Sequence, residues 1–572
     1  MKQFFTIFSI FLFIFSVKAQ QSVKLNQMRA PAYPLVTIDP YMSAWSFSDK
    51  LYADQVKHWT GANRTLIGAI RVDGNTYRFM GTEDIPLIQY AKTAAAEPWI
   101  GKYTFEQPES GWETLNFSDS QWKEGKAAFG TKGEPHMRTP WDTKDIWVRR
   151  EITINEDPST LDLYVEYSHD DVYEMYVNGV QIVKTGYDWK NNIRIPLSPV
   201  ARKALVKGKN IIAAHCHNTT GGGYVDFGLF NRVSKKNYME TTAEQKSVTV
   251  MPTQTFYTFA CGKVQLKVVF TSPLLTDNLN IMSRPVSYIT YDVASLDGKE
   301  HNVQVYFEAS PEWAVNTFSQ EVTSEKIEAN GLTLLKTGTK EQNILGRKGD
   351  DVRIDWGYFY LADKQDKTVS FAINDPQTTR MEFEENGKLS GAINHSLSPA
   401  MQTQMTALAF SREVGKVGTK PVSNKIMLGY DDIYAIQYFG DNLRPYWNND
   451  GKQTIENEFA IADKDYPGLM KKCNAADAKI MADAQKAGGP KYAALCALAY
   501  RQAIAAHKLV KDKSGNILFL SKENFSNGSI GTVDVTYPSA PMFLYFNPEL
   551  VKGLMNFIFY YSESGKWNKP FA

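Results

Sequence analysis

Near residue 455 the hydrophobic period of this chain changes from that of strands to that of helices, which divides what its two parts can fold into. Before the change, strand follows strand. Asp73-Gly74-Asn75 reads as a tight turn between Ile70-Arg71-Val72 and Tyr77-Arg78-Phe79. From Gln265 to Phe270 and from Val303 to Phe307 the pattern partly alternates, as half-buried strands require. After the change, Tyr492, Leu495, Cys496, Ala499, Ala503, Ala506 and Val510 fall on one stripe between Pro490 and Lys511, which predicts a helix opened by Pro490. Arg501 and His507 lie off that stripe and are expected to face solvent or the mouth of the helical part. Residues 469–487 predict a preceding helix, and two more apolar stretches follow Pro538 and Pro548. Four such helices cannot close a core alone, so this part is expected to be incomplete or to lean on its neighbours.

At 572 residues the chain exceeds one core, and three or four domains are expected. Lys2, the apolar run from Phe4 to Val17 and the small residue Ala19 read as a secretory signal peptide over residues 1–19. The expectation is export to the periplasm or the extracellular space. That run is too short to span a membrane, and no later stretch is long enough. The 63 basic and 62 acidic residues nearly cancel, so charge points to neither nucleic acid nor an acidic membrane as partner. Cys216, Cys261, Cys473 and Cys496 have no metal-ligand spacing; a bridge between Cys473 and Cys496 and buried free thiols both fit. His215 and His217 would share a strand face, but no third metal ligand is in view. With no phosphate-binding loop, dinucleotide fingerprint or zinc protease signature, no cofactor and no metal are expected.

Three segments carry a resemblance. They are His58-Trp59-Thr60-Gly61, preceded by Pro34 to Tyr41; Gly429-Tyr430-Asp431-Asp432 running on to Arg444-Pro445-Tyr446-Trp447; and Lys522-Glu523-Asn524-Phe525-Ser526-Asn527-Gly528 with Thr532-Val533-Asp534. Together they resemble the glutaminase A family. The resemblance implies a multidomain β plus α fold, in which a β-sandwich precedes a toroid of six helical hairpins akin to glycosidase domains. Residues 94–232 are similar to the galactose-binding-like jelly roll of β-galactosidases, through Ile146-Trp147-Val148-Arg149-Arg150, Asp170 to Gly179 and Leu205 to Asn210. The expected order is therefore a signal peptide (1–19), a first sandwich segment (20–93), an inserted jelly roll (94–232), the rest of the sandwich (233–425) and a helical domain (426–572). The family's helical domain runs beyond the position of Ala572, so the resemblance implies the first part of the toroid.

The expected chemistry is that of paired carboxylates. Glu523 and Asp534 lie on the connection between two helices, where a general acid and base acting through water would sit. Pairing of Glu523 with a lysine and capping of a helix by Asp534 explain the same residues. Asp431 is the third candidate, since only one of Asp431 and Asp432 can face a given cleft. Arg444, Tyr446 and Trp447 could hold a carboxylate or stack on a sugar, or could build a seam between domains. His58, Trp59 and Asn527 complete the expected substrate-binding set. The functional expectation is a hydrolase similar to glutaminase A, acting on L-glutamine. Its alternatives are a glycoside hydrolase using the same carboxylates and a non-catalytic carbohydrate-binding protein.

Overall fold

The computed structural model describes residues 28–83, 87–94, 97–134, 136–232, 237–317, 320–347, 352–394, 406–522 and 530–570. Its centre is an antiparallel sandwich. One sheet runs in the order Val369–Asn374, Ala407–Val417, His301–Ala309, Leu66–Val72, Asn75–Met80. The facing sheet has eight strands, with Val422–Asp431 between Val286–Ser295 and Tyr358–Lys364. Phe79, Phe259 and Phe307 meet between the sheets, the ring of Phe79 lying 5.8 Å from each of the other two. Asp73 and Gly74, both at positive φ, make the predicted hairpin turn, in which Val72 faces Asn75.

Strand Val264–Thr271 alternates at its start, with Gln265 and Lys267 exposed. Strand His301–Ala309 does not, being buried at every position but Asn302. The difference has a physical cause: helix Pro376–Asn386 covers its outer face. There Tyr306 packs 5.0 Å from Phe383, and Arg380 grips Glu308 through two hydrogen bonds of 3.0 and 2.6 Å. Alternation records exposure, and a covered sheet face erases it.

The jelly roll is inserted into this sandwich. Its two sheets are drawn from residues 87–232 alone. Strand Leu87–Ala91 pairs with Tyr224–Arg232, Leu87 opposite Arg232, so the insertion leaves and re-enters at adjacent positions. Asn178-Gly179 forms the predicted hairpin turn between Val177 and Val180.

The helical part begins with Ile455–Ala505, whose regular course breaks at Gly489 (φ 80°) just before Pro490. Its second half corrects the predicted stripe. Tyr492 and Leu495 are 47% and 51% exposed, while Ala493, Ala497, Tyr500, Arg501 and Ile504 face inward. Residues 490–505 carry two apolar stripes a fraction of a turn apart, and the anchoring of Arg501 selects the other one. Buried Arg501, expected at solvent or at a mouth, donates through Nε to Thr37 Oγ1 at 2.7 Å, and burial brings it down to about 10. The helix also stops at Ala505. His507–Lys511, expected to continue it, is a strand paired with Ile517–Ser521, and His507 is buried against Phe519. Val533–Phe546 and Pro548–Glu563 are the two further helices. Cys473 and Cys496 lie on the one interrupted helix, and all four cysteines are free thiols. No helix among the described residues is long and apolar enough to cross a membrane.

Gly429 fixes how closely the first long helix approaches the sandwich. A Cβ there would lie 2.6 Å from the Phe459 ring and 2.8 Å from the Pro285 carbonyl. Gly429→Ala is expected to lower the unfolding free energy by about 1–3 kcal/mol, as read by urea denaturation. An unchanged midpoint would show that the helix gives way freely.

Candidate functional site

The N-terminal strands and the helical part meet in two adjoining features. The first is a buried ion cluster. Lys508 Nζ, on the strand after the long helix, reaches Asp39 at 2.5 Å and Asp432 at 2.8 Å. All three side chains are buried. Burial pushes Asp432 up to about 6. Burial alone would lower Lys508, but the two carboxylates outweigh it and hold it above its ordinary value. Tyr41 braces the cluster, with its hydroxyl donating to Ala435 O at 2.6 Å and its ring 5.3 Å from Lys508 Nζ.

The second feature is a cavity of about 360 Å³. Pro40, Trp45, Phe47 and Trp59 line it from the N-terminal strands, and Gln502, Ala506 and Lys522 from the helical part. Local bonding sets these walls. Trp45 Nε1 donates to Ser43 Oγ at 2.8 Å, and Trp59 Nε1 to Pro40 O at 3.0 Å. Lys522 is held at the helix end by its N–H, which donates to Ala506 O at 2.8 Å. The result is an aromatic chamber with an amide and an ammonium on its rim.

Against this geometry the candidate residues separate. Trp59 lines the cavity. His58 does not; it lies buried behind it, with Nε2 2.9 Å from Pro40 O and Nδ1 2.9 Å from Thr60 Oγ1. Burial, reinforced by Arg64, drives its pKa well below the ordinary value. Asp431 and Asp432 point apart, as adjacent strand residues must. Asp432 turns in to Lys508, while half-buried Asp431 accepts from the Ile433 N–H at 3.0 Å and is raised chiefly by burial. Arg444 stacks 4.8 Å over the Tyr434 ring. Tyr446 lies under the Lys511 ammonium at 4.6 Å, and Trp447 packs into the cluster of Tyr288, Met427 and Phe459 between sandwich and helix. Arg444, Tyr446 and Trp447 thus lie apart from the cavity lining, and Tyr446 and Trp447 pack at the domain seam. Asp534 is exposed in the first turn of its helix. Glu523 and Asn527 lie outside the described residues, whose flanking positions Lys522 and Ile530 are bridged to each other. His215 and His217 share one carboxylate oxygen of Asp145, each at 2.9 Å, and no metal-binding group of three or more occurs among the described residues.

Sequence reasoning missed Asp39, Trp45, Phe47, Gln502, Lys508 and Lys522. Lys508 carried a signal: a lysine beside Leu509-Val510, in a run too apolar for an unpaired charge.

The neutral state of His58 gives a pH prediction. A histidine whose folded pKa is depressed contributes stability above its unfolded value near 6.5 and loses it as pH falls below that. The slope is about 1.4 kcal/mol per pH unit. In unfolding titrations, wild type is expected to lose about 1 kcal/mol relative to His58→Gln between pH 7 and 5.5. A difference that does not change with pH would refute this.

Residues 489–572 match the Glutaminase A six helical-hairpin domain, and residues 253–483 and 10–92 match two domains of unknown function, DUF5127 and DUF4964. Glutaminase A of Aspergillus oryzae is 30% identical over 339 residues, which are 58% of this chain and 48% of that protein. A protein of Arthroderma benhamiae named as a probable glutaminase is 22% identical, over 54% of this chain and 37% of its own length. The chain thus spans less than half the length of either relative. A β-glycosidase structure from Bacteroides vulgatus aligns at 16% identity over 36% of this chain and 31% of its own, with a TM-score of 0.21, too distant to carry an argument. With its cavity walled by residues 32–59 on one side and 502–522 on the other, inside two of the matched stretches, this chain is similar in sequence to the glutaminase A family.

Proposed function

We propose that this chain is an exported hydrolase of the glutaminase type, with its substrate pocket in the seam between the N-terminal strands and the helical part. The observation that carries this reading is a cavity of about 360 Å³ lined by three aromatic rings, with Gln502 and Lys522 at its rim. That chamber suits a small molecule with one anionic end and an apolar stem. L-Glutamine meets the description: its methylenes would lie against Trp59 and Trp45, with its polar ends at the rim near Gln502 and Lys522. Export rests on the sequence alone, on Lys2 and the apolar run from Phe4 to Val17.

A second reading, hydrolysis of a glycosidic bond, is favoured by the aromatic lining itself. Trp45, Phe47 and Trp59 offer faces on which a pyranose can stack.

One assay separates the two. The purified chain is incubated with L-glutamine, ammonia being measured, and in parallel with a panel of nitrophenyl glycosides. Saturable ammonia release supports the glutaminase reading. Release of nitrophenol without ammonia transfers the site to a glycoside, and turnover of neither removes hydrolysis from this chain.

A further inference from the structure

The motif His58-Trp59-Thr60-Gly61 reaches the candidate pocket through Trp59, while His58 lies buried behind it. We propose that His58 is a positioning residue of that pocket: its Nε2–H and its ring hold the Pro40 carbonyl and the Trp59 indole where a substrate stem would pack. The proposal rests on the reading of the chamber as the substrate site.

The hydrogen bonds of the imidazole fix its tautomer. The Thr60 N–H donates to Nδ1 at 3.3 Å, and the Thr60 hydroxyl lies 2.9 Å from the same nitrogen. A backbone N–H can only donate, so Nδ1 carries no proton and the hydroxyl donates to it as well. The ring proton is therefore on Nε2, which donates to the Pro40 carbonyl at 2.9 Å. The neutral ring that this requires is the form that burial favours.

The Pro40 carbonyl is the point from which the pocket wall hangs. It accepts from Trp59 Nε1 at 3.0 Å as well, so both of its lone pairs are used, and the His58 and Trp59 rings lie 5.0 Å apart. Each side of this junction is closed by its own turn. Asp39 Oδ1 accepts from the Tyr41 and Met42 N–H groups at 2.8 and 3.0 Å, and the Pro40 ring sets its own φ. The His58 N–H donates to Ala62 O at 2.7 Å, and the Gly61 N–H to His58 O at 2.9 Å, with Gly61 at φ 87°. The motif thus divides its tasks. Gly61 takes the left-handed turn, Thr60 sets the tautomer, His58 fixes the carbonyl and Trp59 presents its face. A wall held in this way meets a ligand without first losing the rotamer freedom of an indole.

The test uses the full chain labelled with 5-fluorotryptophan, the Trp59 fluorine resonance being assigned by its loss in Trp59→Phe. Three variants separate the donor from the bulk of the ring. His58→Phe keeps a ring behind Trp59 and removes both nitrogens. His58→Gln restores an N–H near the place of Nε2. Thr60→Val, at a half-buried residue outside the lining of this cavity, removes only the hydroxyl that donates to Nδ1. Kinetics are measured at neutral pH with L-glutamine, or with the nitrophenyl glycoside that the chain cleaves.

His58→Phe is expected to move or split the Trp59 resonance. It should raise KM about five- to tenfold with kcat within about twofold, because a wall that holds substrate and transition state alike acts on KM. His58→Gln is expected to keep KM within about twofold of wild type, and Thr60→Val to raise it about two- to threefold and to shift the same resonance. Thr60→Val decides the matter where His58→Phe does not fold. A Trp59 resonance left in place by the folded variants overturns the proposal. So does a His58→Gln protein as impaired as His58→Phe, and so does a fall in kcat with KM unchanged, which would put His58 among the reacting groups. The fluorine spectrum needs no turnover. A chain that hydrolyses neither substrate, or a Trp59→Ala protein with unchanged kinetics, removes the functional reading, and the spectrum alone then upholds or overturns the positioning of Trp59 by His58.

Discussion

Lys508→Met is expected to lower the unfolding free energy by about 3–5 kcal/mol, because it leaves two buried carboxylates facing each other without their cation. The loss should depend on pH, and its sign follows from the protons involved. In the wild type Asp432 already titrates at about 6, above its ordinary 3.8, so its contribution is full at acid pH and fades as pH rises through 6. Without Lys508, whose charge opposes the effect of burial, Asp432 rises further, the folded state binds more protons than the unfolded, and the variant weakens toward alkali. Urea midpoints of wild type and variant at pH 5 and pH 8 check this, with the larger deficit expected at pH 8. Adding Asp39→Asn and Asp432→Asn to the variant should recover most of the loss, since neutral amides need no cation. A deficit below about 1 kcal/mol at both pH values would mean that the cluster is solvated and carries little of the interdomain contact.

Trp59→Ala is expected to lower kcat/KM by about 30- to 100-fold, the equivalent of roughly 2–3 kcal/mol of lost contact with the substrate. Its stability should change far less. Trp59 is half-buried, and the Pro40 carbonyl that it releases still has His58 Nε2 at 2.9 Å. Filling the chamber makes the complementary test. Ala506→Trp, at the end of the long helix, places a ring where the substrate would lie and should abolish turnover without removing any existing bond. A Trp59→Ala protein with unchanged kinetics, alongside an active Ala506→Trp protein, would move the active site away from this seam.

How much of this was legible in the sequence depends on whether local signals or long-range choices decided it. Turns built on Asp73-Gly74 and Asn178-Gly179 were legible because the left-handed backbone they need is a local property. The sandwich strands were legible where one face stays wet, as at Gln265 and Lys267, and blurred where helix Pro376–Asn386 covers the second face. The rotation of the helix after Pro490 was not legible. It turns on Arg501 reaching Thr37, some 464 residues away in the chain. The candidate site divides in the same way. Trp59 and the Asp431-Asp432 pair stood out as motifs, yet the pairing of Asp432 with Lys508 and Asp39 joins three distant segments, and no local pattern announces such a junction.

The insertion of the jelly roll sets a schedule for synthesis. Strand Leu66–Val72 finds its neighbour in His301–Ala309, Val72 opposite Val303, so the first sandwich strands leave the ribosome long before their partner exists. At translation rates of about 5–20 residues per second, the wait is on the order of ten to fifty seconds. Residues 87–232, whose described strands pair only among themselves, can fold within that interval. The jelly roll then holds Leu87 beside Arg232, so the early strands and the later sandwich start from neighbouring points in space. An insertion that interrupts the sandwich in sequence thereby shortens the search by which its two halves meet.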